Sequence, residues 1–385
     1  MYINFWYPAE WGKDLTDEPM KVRMLGQDFV LFRDSEGVAH CLSNTCIHRG
    51  GSLAGGKIKG DCIQCPYHGW QFDGEGACKT MPSLGPDARI PTRARVDAYP
   101  TVERYGIVFA FLGDLPEAER PPIMEIPEYG EPGWHVQETG SYSDGDFRRQ
   151  LDNGLDPAHN EFVHPTHGFS GANEDYRTPD LTVEDTPWGC GFLTKYYAPP
   201  LKDKKMRDAS GRTEDAVIEA GTFHHGPCDM CTKIHPTAET FMHQNVFKVP
   251  VDENHVRSFL VQTRNFLIGA EHDARFVERN LEVGGQDRVI LADLNPEFTP
   301  ETNSHEFLLP ADEAIVRYRE RLAEWQARGW RIDVDAVEQE RKHQAFAIPC
   351  PDRREQPTGW VLNAVPLMPE GQVADSIALR SGTRG

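Results

Sequence analysis

The chain of 385 residues has no long apolar run and no basic leader, since its first residues, 1–6, form neither a basic stretch nor an apolar core. A signal peptide and a bilayer-spanning segment are therefore not expected, and we predict a soluble, cytoplasmic protein with no membrane partner. Basic residues are scarce, because 40 Lys and Arg face 60 Asp and Glu, which gives a formal net charge of −20. Such a charge repels phosphate backbones, so we predict no nucleic-acid partner.

Signatures of nucleotide binding and of a disulfide scaffold are also missing. No Gly-x-Gly-x-x-Gly fingerprint lies between a strand and a helix, and no flavin site or plant-type ferredoxin spacing is evident. The nine cysteines are odd in number and too few for a disulfide framework. In a reducing compartment such thiols are buried, catalytic or metal-binding, so their spacing decides their use.

The distribution of strands, loops and prolines predicts two domains. Five prolines between residues 116 and 133 are typical of a linker, so we expect domains over residues 1–115 and 134–385. The segment from Ser43 to Gly85 is rich in Gly, Cys and His, which predicts loops that are not held in place by an apolar core. In the first domain, alternating or continuous apolar runs predict strands at 21–24, 29–32, 38–40 and 105–112.

The second domain shows two further patterns. Residues 241–249 and 255–266 flank the polar turn Asp252-Glu253-Asn254 and predict a long hairpin. After Pro310, apolar residues recur at helical spacing and Gly329 follows as a stop, which predicts a helix that contains Ile315, Tyr318, Leu322 and Trp325.

Two Cys-plus-His pairs form the first candidate metal site. Cys46-Ile47-His48 is separated by sixteen residues from Cys65-Pro66-Tyr67-His68, and both pairs lie on Gly-flanked loops. Thiolates stabilise ferric iron and imidazoles lower the net charge of a second iron, so two Cys and two His suit an easily reduced binuclear cluster. A tetrahedral zinc site is the alternative, although its ligand pairs usually lie about two to four residues apart. The spacing favours the Rieske pattern.

A second group of candidate ligands lies within residues 151–164. Asp156 and His159 are three residues apart and would share a helical face, but His164 lies about 140° further round the helix. We therefore expect the helix to end or bulge between the histidines, with Pro165 as a stop. Two histidines and a carboxylate from elsewhere form the facial triad of non-haem Fe(II), with adjacent positions open.

With both motifs, the chain resembles the α subunit of the Rieske non-haem iron oxygenases, the aromatic-ring-hydroxylating family, over nearly its whole length. The resemblance implies an α+β fold: an N-terminal antiparallel β domain with a Rieske [2Fe-2S] cluster, then a catalytic domain with a curved antiparallel sheet wrapped on helices. It implies that the cluster is held by Cys46, His48, Cys65 and His68.

The same resemblance implies a mononuclear Fe(II) held by His159, His164 and a downstream carboxylate. The best match for that carboxylate is Asp287, ahead of Asp293 and Glu282.

Asp156 is implied not to bind iron but to bridge His159 and the cluster ligand His68 of a neighbouring subunit, in a homotrimer. The chain departs from common family sequence at 146–149, where Asn-Trp is frequent, and at Asp152, where Glu is frequent.

The function that the resemblance implies is that of a terminal oxygenase component in the breakdown of aromatic compounds. Such a component uses O2 and electrons from NAD(P)H, delivered by a separate reductase with or without a ferredoxin, to hydroxylate or oxidatively dealkylate an aromatic or polycyclic small molecule. Mono- and dioxygenation both remain open. The alternative is a Rieske electron-transfer protein without oxygenase activity, against which the 270 residues after 115 and the second ligand group argue.

Two surfaces follow as predictions with open alternatives. The hairpin strands would line a substrate cavity, or pack as ordinary core, with Phe241, His243, Asn245, Phe247, Phe259, Val261 and Thr263. The basic patch consists of Arg49, Lys57 and Lys59, which lie in or between the two cluster loops. It would attract an acidic electron donor to the cluster, or its residues would be ordinary solvated loop cations.

Overall fold

A computed structural model describes residues 1–209 and 216–371, which belong to two compact units. Unit 1 combines residues 1–123, 249–253 and 325–371, and unit 2 combines the described residues of 124–248 and 254–324. The segment 325–371, which the sequence assigns to the second domain, thus belongs to unit 1. Its backbone explains the difference, because Ile3 N–H donates to Trp330 O at 2.8 Å and Ile332 N–H donates to Met1 O at 2.9 Å.

Strands dominate both units. In chain order they are β1 (Phe5–Trp11), β2 (Met20–Met24), β3 (Gln27–Arg33), β4 (Ala39–Ser43), β5 (Lys57–Lys59), β6 (Cys62–Gln64), β7 (Gln71–Asp73), β8 (Cys78–Thr80), β9 (Ala98–Tyr99), β10 (Thr101–Arg104), β11 (Ile107–Leu112), β12 (His135–Asp144), β13 (Glu184–Thr186), β14 (Gly189–Gly191), β15 (Thr194–Ala198), β16 (Ala216–His225), β17 (Asp229–His235), β18 (Met242–Pro250), β19 (His255–Arg264), β20 (Phe346–Ala347) and β21 (Asn363–Ala364).

Helices are fewer. They are α1 (Phe147–Leu155), α2 (Asn160–Val163), α3 (Lys204–Ala209), α4 (Asp273–Leu291), α5 (Glu313–Ala327), α6 (Val334–Glu340) and α7 (Pro351–Glu355). Short 3-10 helices lie at Leu53–Gly55, Pro82–Leu84, Glu117–Glu119, Pro165–His167, Ala270–His272, Asn303–His305 and Pro310–Asp312. Among the described residues, no helix combines the length and the apolar character that crossing a bilayer requires.

Unit 1 consists mainly of small antiparallel sheets. Their strand orders are β1-β11-β10, β2-β3-β4-β9 and β5-β6-β7-β8, and β20 and β21 form a parallel pair. The strands predicted from apolar runs are confirmed as β2, β3, β4 and β11. All six side chains of β11, the run Ile-Val-Phe-Ala-Phe-Leu, are buried, as expected for a strand covered on both faces.

The prediction of loops without an apolar core between Ser43 and Gly85 is wrong. This segment contains four strands, β5 to β8, each three residues long, and Ile63 and Phe72 on them are completely buried. These two side chains pack in one cluster with Val30 and with the candidate cysteine ligands of the cluster loops. Strands this short give too little alternation for a periodicity to be recognised.

Unit 2 contains an eight-stranded sheet in which every pairing with a defined register is antiparallel. The order is β12-β19-β18-β17-β16-β14-β13, and β15 pairs with β16. The predicted long hairpin is confirmed, because β18 and β19 follow one another in the chain and are hydrogen-bonded neighbours. The predicted helix after Pro310 is confirmed as α5. An antiparallel sheet with helices confirms the α+β class.

Helix α1 carries the start of the second ligand group onto this sheet. The Asp146 carboxylate caps its N-terminus by accepting from Arg148 N–H at 2.9 Å. Its apolar face buries Phe147, Leu151 and Leu155, spaced four residues apart. At Gly154 the helix lies so close to β17 that a Cβ atom would come within 2.6 Å of Met230 Sδ, so a larger residue would require the Met230 side chain to move.

Candidate metal centres and cavity

The two cluster loops of unit 1 have the same backbone geometry. In each, the cysteine N–H donates to the carbonyl five residues on, Cys46 to Gly51 O and Cys65 to Trp70 O, both at 2.8 Å. In each, a glycine donates back to the cysteine carbonyl, Gly50 at 2.9 Å and Gly69 at 3.0 Å. Both of these glycines have φ near +72°, a left-handed conformation that glycine adopts without strain. The repeated geometry explains the Gly residues in the two motifs.

The side chains of these loops divide into buried thiols and exposed imidazoles. Cys46 and Cys65 are each 2% exposed, whereas His48 and His68 lie at the surface with ring centroids 4.3 Å apart. The His48 ring stacks on Trp70 at 4.7 Å between centroids. The structure therefore places the two predicted cysteine ligands in one buried cluster and the two predicted histidine ligands side by side at the surface.

The chemistry of the thiols fits a positively charged group at this place. Burial raises the pKa of Cys46 to about 12, so without a cation it would be a neutral thiol. A Cβ atom at Gly51 would lie 3.1 Å from Cys65 Sγ, so a larger residue there would crowd the sulfur. No disulfide joins the cysteines in the described chain. Buried, unoxidised thiols opposite two exposed imidazoles suit a binuclear cluster with its histidine side at the surface.

The second ligand group lies in unit 2, where three side chains converge. His159 Nε2 lies 3.2 Å from His164 Nε2, and Asp287 Oδ1 lies 3.8 Å and 3.2 Å from these two atoms respectively. The three candidate ligand atoms, one from each residue, all lie within 4.8 Å of one another, so the group could hold a metal ion. The alternatives Asp293 and Glu282 are exposed and do not join it.

The local backbone differs from the predicted helix. Helix α1 already ends at Leu155, Asp156 is its C-cap, and Pro157 cannot continue it. His159 and His164 flank the single turn of α2, one at each end. The helix does end between the histidines, at Val163, as expected, but a second break precedes His159, so Asp156 and His159 do not share a helical face. Both imidazoles reach one point because each lies at an end of a short helix.

Asp287 lies on α4 and has the charge and accessibility of a ligand. Its Oδ1 is buried and makes no hydrogen bond with the described residues, although two imidazole nitrogens are near. Burial would raise the pKa of Asp287, but the contact with His164 outweighs it and holds the pKa below its ordinary value. An ionised carboxylate oxygen beside two imidazole nitrogens is suited to bind a cation.

Sequence reasoning missed the residue that orients His164. Gln286 Oε1 lies 3.0 Å from His164 Nδ1 and also accepts from Thr166 Oγ1 at 3.2 Å. An amide oxygen can only accept, so Nδ1 carries the proton and Nε2 keeps its lone pair for a metal. The signal was available, because Gln286 directly precedes the predicted ligand Asp287 in the sequence.

Asp156 contacts His159 through its backbone. Its carbonyl oxygen accepts from His159 Nδ1 at 2.8 Å, and its Oδ1 accepts from Ala158 N–H at 2.6 Å. The other carboxylate oxygen, Oδ2, lies 3.6 Å from the same Nδ1, and the side chain is 25% exposed. The carbonyl therefore fixes the imidazole, and the carboxylate side chain remains partly exposed.

Two of the residues that depart from the common family sequence, Asp146 and Asp152, have structural roles. Asp146 is the N-cap of α1, and Asp152 Oδ2 accepts from Arg319 Nη2 at 2.6 Å in a buried ion pair. Glu306 accepts from the same arginine at 2.7 Å. These contacts attach α1 to α5 and hold the ligand-bearing turn in place.

A cavity of about 1180 Å³ opens beside the ligand group and is lined by all three of its residues. The predicted cavity face of the hairpin is wrong. The residues that line the cavity alternate with the predicted ones and therefore lie on the other face of the strands. On β18 and β19 they are Met242, Gln244, Val246, Lys248, Ser258 and Leu260. The predicted residues Phe247, Phe259 and Val261 are completely buried on the other face.

Two protein-family models match the chain in these two regions. A Rieske [2Fe-2S] domain matches residues 5–100, and a vanillate O-demethylase oxygenase C-terminal domain matches residues 143–328. The chain belongs to the Rieske oxygenase family. The first model includes all four residues predicted as cluster ligands, and this Rieske oxygenase chain contains a [2Fe-2S] domain. The second includes His159, His164 and Asp287.

Similar proteins agree with this membership. The oxygenase component of 3-ketosteroid-9-alpha-monooxygenase from Rhodococcus rhodochrous is 37% identical over 247 residues, which cover 62% of this chain and 60% of that protein. The iron-sulfur subunit TsaM1 of the toluene-4-sulfonate monooxygenase system from Comamonas testosteroni is 33% identical over 199 residues, 51% of this chain and 56% of that protein. The Rieske oxygenase chain spans about half the length of the curated relatives it matches.

A solved structure shares the fold. NdmA of Pseudomonas putida CBB5, in a complex with caffeine, superposes with a TM-score of 0.71 at 22% identity, over 84% of this chain and 91% of that one. At this identity the likeness concerns the fold of the Rieske oxygenase and confirms the predicted architecture.

Proposed function

We propose that the chain is the terminal oxygenase component of a multicomponent system. It would use O2 and electrons from NAD(P)H, supplied by a separate reductase with or without a ferredoxin, to hydroxylate or oxidatively dealkylate an aromatic or polycyclic small molecule. The observation that carries this proposal is the convergence of His159, His164 and Asp287 on one wall of a cavity of about 1180 Å³.

The relatives support an oxygenase over the alternative of a pure electron carrier. The two curated relatives are a steroid monooxygenase component and an arylsulfonate monooxygenase subunit, and both are named for oxygenation. A carrier would need the two cluster loops alone. It would have no use for a second ligand group whose histidine is oriented by Gln286 and whose carboxylate lacks a hydrogen bond at Oδ1.

Each residue of the site has a proposed task. Cys46, His48, Cys65 and His68 would hold the cluster, and His159, His164 and Asp287 would hold a mononuclear Fe(II). When bound, this iron and the cluster together would supply the activation of O2 and the electrons for it. The carbonyl of Asp156 and the amide of Gln286 keep both imidazole Nε2 atoms aimed at one point. The cavity binds the substrate beside that point and excludes water.

We further propose a head-to-tail homotrimer in which the Asp156 carboxylate connects His159 with His68 of the next subunit. This arrangement is supported by exposure at both ends of the proposed bridge, since the Asp156 side chain is 25% exposed and His68 lies at the surface. Heterologous contacts that close form such rings. Light scattering should give three times the chain mass, and an active monomer would exclude the arrangement.

Iron counting and oxygen uptake test the oxygenase proposal together. An oxygenase should contain about three irons per chain, and a carrier about two. With a surrogate reductase, NADH and a panel of aromatic and polycyclic compounds, an oxygenase should consume O2 and yield products that carry label from ¹⁸O2 or have lost an alkyl group. Asp287→Ala should lose one iron and all product while it keeps the cluster spectrum. Two irons per parent chain and no product from any compound would refute the proposal.

A further inference from the structure

The cavity wall contains one buried cation that the proposed chemistry does not use. Lys248 lies near the end of β18, on the same strand face as Gln244 and Val246, and it is only 6% exposed. Burial lowers its pKa to about 8, so the ammonium group is mostly protonated at neutral pH. A charged group so deep in a cavity needs either a counter-ion or a ligand.

The nearest acidic residue in the sheet does not supply that counter-ion. Asp229 Oδ1 accepts from the backbone N–H of Lys248 at 3.1 Å. Its neighbours Met230 and Thr232 are the β17 residues that line the cavity, so alternation directs the Asp229 side chain to the opposite face. Asp229 therefore binds the backbone of Lys248 and forms no ion pair with its ammonium group.

No other carboxylate pairs with this cation on its own face. Among the described residues, Lys248 Nζ has no carboxylate oxygen within 4 Å, and the Asp287 carboxylate across the cavity lies beside the imidazoles, 3.2 Å from His164 Nε2. The other basic residues of the lining differ in kind. Arg177, Lys195 and Arg288 are exposed, and Arg279 donates to Thr166 O at 3.4 Å. Lys248 is thus a buried cation, without a counter-ion, that faces the substrate space.

We propose that Lys248 is a specificity-determining residue that binds the acidic group, a carboxylate or sulfonate, of an aromatic substrate. The apolar part of that substrate would lie on the adjacent strand residues Met230, Val246 and Leu260, which line the same cavity. An ionic hydrogen bond in a site that excludes water discriminates strongly against a neutral isostere, because the unpaired ammonium must then stay desolvated. The inference rests on the proposed function for the identity of the cavity as the substrate site.

The test compares matched anionic and neutral probes. Calorimetry on the isolated holoprotein, without reductase, would measure the binding of 1-naphthoate, 2-naphthoate and 4-toluenesulfonate and of the corresponding amides and sulfonamide. The parent should bind at least one anion about tenfold or more tightly than its neutral partner, the size of one charge-assisted hydrogen bond. Lys248→Met should lose that preference and keep its affinity for the neutral compound, whereas Lys248→Arg should retain most of the preference.

Lys233→Met is the matched control, since Lys233 lies on β17 and points away from the cavity. It should behave as the parent does. A parent that binds no anion of the set, or that binds the neutral partners equally well, overturns the inference, and so does a Lys248→Met variant with an unchanged preference.

Oxygen uptake separates the failure of this inference from that of the function. A parent that consumes O2 and forms products with neutral compounds alone is an oxygenase for which Lys248 has another role. If the parent binds anions through Lys248 but forms no product with any compound, the inference about Lys248 is supported and the proposed oxygenase function is refuted.

Discussion

Gln286 should be the residue outside the ligand group on which iron binding depends most. Replacing it by Met keeps the volume and removes the oxygen that accepts from His164 Nδ1 at 3.0 Å. His164 is 2% exposed, so its N–H would be left buried without an acceptor, at a cost of about 1 to 3 kcal/mol. Substitution of groups that orient metal ligands typically lowers metal affinity about 10- to 100-fold, which is about 1.4 to 2.7 kcal/mol. The two estimates agree.

The assay is an anaerobic titration of Fe(II) into protein whose mononuclear site has been emptied, in competition with a chelator. We expect the dissociation constant for Gln286→Met to rise about 10- to 100-fold. The absorption spectrum of the [2Fe-2S] cluster, which lies in the other unit, should not change and serves as an internal control. Gln150→Met is the matched variant, because Gln150 lines the same cavity but donates to Ser143 Oγ at 3.0 Å.

Iron affinity within twofold of the parent for Gln286→Met would refute the reasoning, because packing alone would then orient His164. Gln286→Glu provides a second test, since it restores an acceptor at the same place. It should recover most of the affinity. Equal losses in the Met and Glu variants would mean that an acceptor oxygen at this place is not what orients His164.

Three further results are expected. Asp156→Asn should keep iron and cluster and lose turnover, since the proposed bridge between subunits needs an ionised carboxylate; full activity with both metals present would contradict this. Replacing all three cations of the basic patch by Gln should slow reduction by an acidic donor and flatten its salt dependence, but leave reduction by dithionite unchanged; all three are exposed. Burial raises the pKa of Glu306, but the hydrogen bonds from Arg149 and Arg319 outweigh it and hold the pKa low. Its stabilising contribution is therefore present above about pH 4.3, the ordinary value, and is lost as the pH falls through the lower folded value. The melting temperature of Glu306→Gln should thus fall less between pH 5 and pH 3 than that of the parent, and parallel curves would contradict it.

The cluster loops could be predicted because their chemistry is local in sequence. Each pair of ligands lies within four residues, and each loop closes through hydrogen bonds between its own cysteine and glycine, as between Cys46 and Gly50. Such a loop needs few distant contacts to take its shape. The small strands around the loops could not be predicted, since Ile63 and Phe72 are buried by packing against a strand as remote as β3.

The second ligand group shows what sequence spacing leaves open. The spacing of His159 and His164 requires an irregular backbone, but the place of the break depends on Asp156 and Pro157, which end α1 before the first histidine. The third residue, Asp287, lies on α4, more than a hundred residues away, and only the fold brings it within 3.2 Å of His164. Family resemblance could select it, whereas local pattern could not.

The face of the hairpin that lines the cavity could have been predicted from one residue, Lys248. A strand buried on both faces shows no alternation of apolar and polar residues, and in β18 both Met242 and Phe247 are buried although they lie on opposite faces. An apolar count therefore cannot tell core from cavity. A lysine is almost never fully buried without a partner, and Lys248 is the only Lys or Arg in this strand. Its face must meet water or a ligand, which assigns Gln244 and Val246 to the cavity along with it.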